Sequence, residues 1–225
     1  MNSRMALFYD RADAGRQLAT YLIEYAQGRD PIVLALPRGG VPVGYEVAEA
    51  LGAPLDVYIV RKLGVPGHEE LAMGAVASDG SYVIDEATID IAGVTRKEFQ
   101  ATLRHELAEL RRREVAYRDD RPEPNLSSRT VILVDDGLAT GASMYSAVAA
   151  LRQRKPAQVA VAVPVAPADT CRSLEHVADR VFCPNQPIYF GAVGLYYANF
   201  AQVSDQEVRH LLNQAQRKRE PWKVA

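Results

Sequence analysis

The stretch "VILVDDGLATGAS", Val131 to Ser143, decides how this chain is read. Four aliphatic residues run directly into two adjacent aspartates and then into a loop of small residues. A short apolar run bounded in this way reads as a buried strand of a parallel sheet. Ligands bind such sheets in the crevice beyond the carboxyl ends of the strands. Two neighbouring carboxylates there are costly unless a cation or a set of hydroxyl donors uses them. The following "LATGAS" leads into a helix, so its backbone N–H groups can face an anion. Thr140 and Ser143 add hydroxyl donors. Together these features suit a sugar diol next to a phosphate; the plainer alternative is that Asp135 and Asp136 only cap the next helix.

Working outward, short apolar runs alternate with helical patterns, which predicts βαβ units around a parallel sheet. The segments "PIVLAL" (31–36), "LDVYIV" (55–60), "TVILV" (130–134) and "QVAVAVPV" (158–165) read as buried strands, and "RVFCP" (180–184) as a shorter one. Helices are predicted over 10–28, over 41–52 with Gly52 as its stop, and over 141–154. Residues 72–85 read as two strands around an Asp79-Gly80 turn. The longest helical pattern, 95–118, puts Phe99, Leu103, Leu107, Leu110 and Tyr117 on one face. Its Arg111, Arg112 and Arg113 are balanced by Glu106, Glu109 and Glu114 and read as a solvated face. The stretch 119–129 reads as a linker.

The 225 residues are 48% hydrophobic and 24% charged, with a net charge of −2. This allows one sizeable α/β domain or two small ones and gives no argument for nucleic acid or membrane binding. Cys171 and Cys183 match no metal spacing and are too few for a disulfide scaffold, so a reducing cytoplasm is expected. The first residues carry Arg4 but no apolar core of a signal peptide. No run approaches the roughly 18 apolar residues of a membrane span. A P-loop is excluded because no Lys lies between Gly137 and Ser143. "GGVPVG" (39–44) lacks the G-x-G-x-x-G spacing, and "HEELA" (68–72) and "HELAE" (105–109) lack a zincin's second His.

"VILVDDGLATGAS" resembles the phosphoribosyl-pyrophosphate (PRPP) signature of the type I phosphoribosyltransferases: aliphatics, two acids, two small or apolar residues, then x-T-G-x-[ST]. The resemblance implies that Asp135 and Asp136 hold the ribose 2′- and 3′-hydroxyls. Ala139, Thr140, Gly141, Ala142 and Ser143 would wrap the 5′-phosphate. "LALPRGG" is similar to the family's pyrophosphate loop, with Pro37, Arg38, Gly39 and Gly40 as binding residues and, by analogy, a cis Pro37–Arg38 bond. Arg61 and Lys62, at the end of the next strand, match basic residues that contact PRPP. Residues 63–72 match a mobile catalytic loop, with Gly64 and Gly67 as hinges and His68 as the acid/base candidate.

Residues 191–205 resemble the hood of purine-type members, so Tyr196, Tyr197 and Phe200 are the candidate acceptor-binding residues, with Tyr189 and Phe190 nearby. Members acting on 6-oxopurines commonly carry an acid at the position of Ala139, and its absence weakens that reading. The "LALPRGGVPVGYEVA…VRKLG" arrangement is similar to members of unassigned substrate.

The expectation is therefore an α/β phosphoribosyltransferase-like parallel sheet flanked by helices, forming one domain over 1–225. Its core spans about 31–184, with a helical insertion at about 86–120 and a hood and C-terminal helix at about 185–215. The implied activity is a cytoplasmic transferase of nucleotide metabolism, displacing pyrophosphate from PRPP with a nitrogen nucleophile. Mg²⁺ would be held through PRPP oxygens and water, with no direct protein ligand. Small-molecule substrates, no nucleic acid and no membrane are expected as partners, and homo-oligomerisation is left open. A PRPP-sensing protein without turnover and a hydrolase of phosphorylated ribose stay open as alternatives.

Overall fold

A computed structural model describes residues 6–118 and 123–219. Five parallel strands form the central sheet: β1 (Pro31–Ala35), β2 (Leu55–Val57), β6 (Thr130–Val134), β7 (Gln158–Ala162) and β8 (Arg180–Phe182). Their order is β2-β1-β6-β7-β8. β1 and β6 run in register from Pro31 opposite Thr130 to Ala35 opposite Val134. Each is buried on both faces, which explains why their sequences run apolar without alternation.

The strand pleat divides the core. Val33, Ile132, Val134, Ala160 and Ala162 face Leu18, Val43 and Val47, which belong to α1 (Arg11–Thr20) and α3 (Gly40–Leu51). Leu34, Val131, Leu133, Val159 and Val161 face the opposite way, onto Met144, Val148 and Leu151 of α6 (Ala142–Arg152) and Leu174 of α7 (Ala168–Leu174). A short α2 (Ile23–Ala26) follows α1. α3 ends at Gly52, whose φ of 59° is the left-handed conformation that closes helices. α1 approaches α3 closely at Gly15, where a Cβ would stand 2.7 Å from the Val43 carbonyl oxygen.

Two expectations change. The run 55–60 is not one strand, because the chain leaves the parallel sheet after Val57. Tyr58 still donates its N–H to the Ala35 carbonyl at 3.0 Å, but the Ile59 carbonyl accepts from Ser78 N–H at 2.9 Å. The chain then enters a three-stranded antiparallel sheet of β3 (Val60–Val65), β4 (His68–Ala77) and β5 (Tyr82–Ile84).

Residues 63–72, expected as a loop, therefore belong largely to the β3–β4 hairpin. It turns at Pro66-Gly67, with Gly67 at φ 79°, and is irregular at Gly64. Leu63, Val65 and Met73 are buried, and residues 66–71 are exposed. The Asp79-Gly80 turn separates β4 from β5 as expected, with Gly80 at φ 78°.

A short α4 (Glu86–Ala92) leads to α5 (Arg96–Arg118). Thr95 and Glu98 cap α5 reciprocally: Thr95 N–H donates to Glu98 Oε2 at 2.9 Å, and Glu98 N–H donates to Thr95 Oγ1 at 3.3 Å. The apolar face of α5 packs against Leu63 and Met73 of the hairpin and Val208 and Leu212 of α8 (Asp205–Arg219). On its outer face, Arg112 and Arg113 both pair with Glu109. The predicted linker 119–129 includes residues 119–122, which lie outside the described residues. Among the described residues, no helix is long and apolar enough to cross a membrane.

Candidate active site

Strand order reverses between β1 and β6, so a crevice opens beyond their carboxyl ends. The loops leaving these strands are 36–40 and 135–141. Leu36 N–H donates to the Val134 carbonyl at 2.9 Å, which extends the pairing one step past the sheet. The Pro37–Arg38 peptide is cis. Gly39 and Gly40 then press against the acidic pair. A Cβ on Gly39 would stand 2.1 Å from Asp136 Oδ2, and one on Gly40 would stand 2.7 Å from the Val134 carbonyl oxygen. Only glycine allows this approach at both positions. The two sequence-distant motifs thus form one surface.

Asp135 Oδ1 accepts the Asp136 N–H at 2.8 Å. Burial, and then the neighbouring Asp136 carboxylate, push the Asp135 carboxyl well above the usual carboxylate range. Burial also raises Asp136, while Arg11 of α1 opposes the rise. Arg11 Nε donates to Asp136 Oδ2 at 2.7 Å.

The small-residue loop is anchored from below. Leu138 is buried, and its N–H reaches the Val165 carbonyl at 3.0 Å. Ala139 offers its carbonyl to Thr170 Oγ1 at 2.8 Å. Gly141 has φ 72°, as the sharp entry into α6 requires. Ala139, Thr140 and Ser143 are exposed around the first turn of α6. An anion there would meet the positive end of an 11-residue helix.

Arg38 is half-exposed, and its Nη1 lies 3.8 Å from Asp205 Oδ1 at the start of α8. Asp205 Oδ1 also accepts the Tyr117 hydroxyl of α5 at 2.8 Å. Both outer helices therefore reach the 36–40 loop. Arg61 pairs with Glu106 of α5, so it turns toward that helix. Lys62 and His68 are exposed. Arg61 and Lys62 line a groove of about 600 Å³ between the hairpin and α5. Among the described residues, no hydrogen bond or ion pair joins Arg61, Lys62 or His68 to the acidic pair.

The three aromatic candidates separate. The Tyr197 hydroxyl donates to the Asp136 carbonyl at 2.5 Å. Its ring is buried 5.1 Å from Phe8 and 5.0 Å from Phe200, so it packs as core. Phe200 carries the Arg11 guanidinium 3.8 Å above its ring. Tyr196 stacks on Phe190 at 5.3 Å and lines a mostly apolar cleft of about 1120 Å³ with Tyr189, Ile188 and Leu195. Between them runs a 3-10 turn (Val193–Tyr196) that touches the acidic loop, since a Cβ on Gly137 would stand 2.7 Å from Val193 Cγ1. Sequence reading missed Arg11 and Asp205. Each meets its partner across a long separation; Arg11 belongs to no motif, and Asp205 ends the 191–205 stretch without being singled out there.

A two-loop crevice at the switch point of a parallel sheet is where open α/β proteins bind their ligands. The profile described as "Phosphoribosyl transferase domain" matches residues 8–199, and the chain belongs to that family. Two Mycobacterium tuberculosis proteins, from strains CDC 1551 and H37Rv, are named provisionally as phosphoribosyl transferases. Each is 45% identical over 213 residues, which is 95% of this chain and 48% of theirs. The chain thus spans about half the length of these relatives. The crystal structure of TT1426 from Thermus thermophilus superposes with a TM-score of 0.83 at 41% identity, covering 92% of this chain and 98% of that one.

Proposed function

We propose that the protein transfers the phosphoribosyl group of PRPP to a nitrogen nucleophile, displacing pyrophosphate. The observation that carries this reading is the contact of Gly39 and Gly40 with Asp136 and Asp135. In this reading the 37–40 loop binds an anion beside two hydroxyl-accepting carboxylates, and the loop entering α6 binds a second anion.

In this reading Asp135 and Asp136 accept from the ribose 2′- and 3′-hydroxyls. Backbone N–H groups over 139–143 and the Thr140 and Ser143 hydroxyls hold the 5′-phosphate. Arg38 and the N–H of Gly39 hold the pyrophosphate, while the Gly40 N–H closes the loop onto the Leu36 carbonyl at 3.0 Å. The C1–O bond to pyrophosphate breaks with its electron pair on the leaving oxygen as the C1–N bond forms, and the nitrogen's proton passes to the departing pyrophosphate. The protein's contribution is positioning and charge stabilisation of an oxocarbenium-like state.

Among the described residues, no cluster of three or more His, Cys, Asp or Glu side chains forms a metal cage. With Asp136 engaged by Arg11, the donor set fits Mg²⁺ held by PRPP oxygens and water. When bound, it would neutralise charge on the departing pyrophosphate.

Arg61, Lys62 and His68 act in this scheme only when the hairpin closes over the crevice. Tyr196 and its cleft offer stacking surface for the acceptor. A cytoplasmic setting in nucleotide metabolism accompanies this reading.

The Arg61–Glu106 pairing favours the second reading, a PRPP-sensing protein without turnover, because it draws one proposed catalytic cation away from the crevice. Mass spectrometry after incubation with Mg-PRPP and a panel of bases and amines tests the transferase. A phosphoribosylated product with matched pyrophosphate release supports it. PRPP binding by calorimetry without any product supports sensing, and no binding removes both.

A further inference from the structure

Arg11 is the first residue of α1, outside every motif named above, yet its side chain is only 11% exposed. Its guanidinium makes three contacts. Nε donates to Asp136 Oδ2 at 2.7 Å, Nη1 donates to the Ala201 carbonyl at 2.7 Å, and Cζ lies over the Phe200 ring, 3.8 Å from its centroid. Asp136 Oδ2 is closed in from the other side by Gly39, where no Cβ would fit. One oxygen of Asp136 is thus fixed between α1 and the pyrophosphate-type loop, and the carboxylate cannot rotate freely. The other oxygen, Oδ1, remains for a ribose hydroxyl.

The placement of Arg11 follows from helix packing. Asp10 caps α1 by accepting Asp13 N–H at 2.8 Å. Gly15, one turn on, allows the close approach to α3. A methyl group there would push α1 off α3 and lift Arg11 from Asp136.

We propose that Arg11 is a positioning residue for PRPP. It orients Asp136 for the ribose diol and ties that carboxylate to segment 200–201 of the hood. The inference rests on reading Asp136 as a ribose-binding group.

The charged and titratable groups facing Asp136 are Asp135 beside it, Arg11 from α1 and Tyr197 from the hood. Of these only Arg11 favours the ionised form. Removing it therefore moves Asp136 further upward, so binding that needs the anion is lost at a higher pH than in the parent.

Calorimetry with Mg-PRPP, ribose 5-phosphate and pyrophosphate, each from pH 5.5 to 8.5, tests this with the parent, Arg11→Gln and Arg11→Lys. Arg11→Gln should weaken Mg-PRPP and ribose 5-phosphate about tenfold at neutral pH, as expected for loss of one charge-assisted bond. The loss should deepen as pH falls, pyrophosphate affinity should hold, and Arg11→Lys should recover part of the loss. Equal weakening of all three ligands would mean that Arg11 serves the fold alone. Unchanged affinity and pH profile beside a binding parent would also overturn the inference. Where Arg11→Gln does not fold, Arg11→Lys carries the same ligand comparison. A parent that binds no Mg-PRPP strikes the functional reading instead, a separate result.

Discussion

At the scale of single residues, the acidic pair is built against the stability of the free protein. Asp135 is raised by burial and by Asp136, so the folded state keeps its proton to higher pH than the unfolded chain does. The stability tied to that proton is present at low pH and is lost as pH rises through the folded value. At neutral pH the ionised carboxylate is a cost that ligand hydroxyls would offset. Asp135→Asn should therefore raise the melting temperature of the free protein by a few degrees, equivalent to roughly 1 kcal/mol. The same change should abolish most PRPP affinity. A melt at pH 8 compared with one at pH 5 checks the sign, because the gain should shrink in acid. Asp135, Asp136 and the glycines of 37–40 were legible in the sequence because each motif is local and chemically unusual. Arg11 was not, because an arginine opening a helix looks like any solvated residue until Asp136 arrives from 125 positions away.

At the scale of elements, the central strands and α3, α5 and α6 followed from apolar runs and helical periodicity. The hairpin did not. Pro66, Gly64 and Gly67 are ordinary loop markers, and they hid the burial of Leu63, Val65 and Met73 on either side. The hairpin should consequently be mobile only in its outer half. Hydrogen exchange is expected to be fast over 66–71 and slow over Val60–Leu63 and Met73–Ala77. Mg-PRPP with an acceptor analogue should slow 66–71; unchanged fast exchange at saturation would argue against a lid.

A second element-level expectation concerns α8, whose Asp205 lies 3.8 Å from Arg38. A bound pyrophosphate must compete with that carboxylate. Asp205→Asn keeps an acceptor for Tyr117 but removes the charge, so pyrophosphate should bind about two- to threefold tighter, the scale of a half-exposed ion pair. Ribose 5-phosphate should be unaffected, and competition binding with both ligands separates the cases.

At the scale of the whole molecule, α5 and α8 are more than an appendage to the parallel sheet. Leu110, Tyr117, Val208 and Leu212 share a core with Ala35, Val41 and Val57, so the outer helices are packed onto the strands that present the site. Leu110→Ala should cost about 2–5 kcal/mol in urea unfolding, the range for a fully buried leucine. A loss below about 1 kcal/mol would mean that α5 rests loosely on the core. The N-terminal segment is tied in differently. Phe8 N–H donates to the Tyr196 carbonyl at 3.0 Å, and Asn199 N–H donates to the Tyr9 carbonyl at 2.8 Å. This arrangement sets an order of assembly on the ribosome. Arg11 emerges well before Asp136, which follows 125 residues later, and Ala201 lies 190 residues behind Arg11. The strands and both loops of the crevice are synthesised before that last partner, so a nascent chain halted near residue 190 holds Arg11 and Asp136 without the Phe200 ring and Ala201 carbonyl that fix the guanidinium. Contacts this distant in sequence form late, because the loop-closure entropy must be overcome first. On the proposed function, the sugar site is complete only once the hood has left the ribosome.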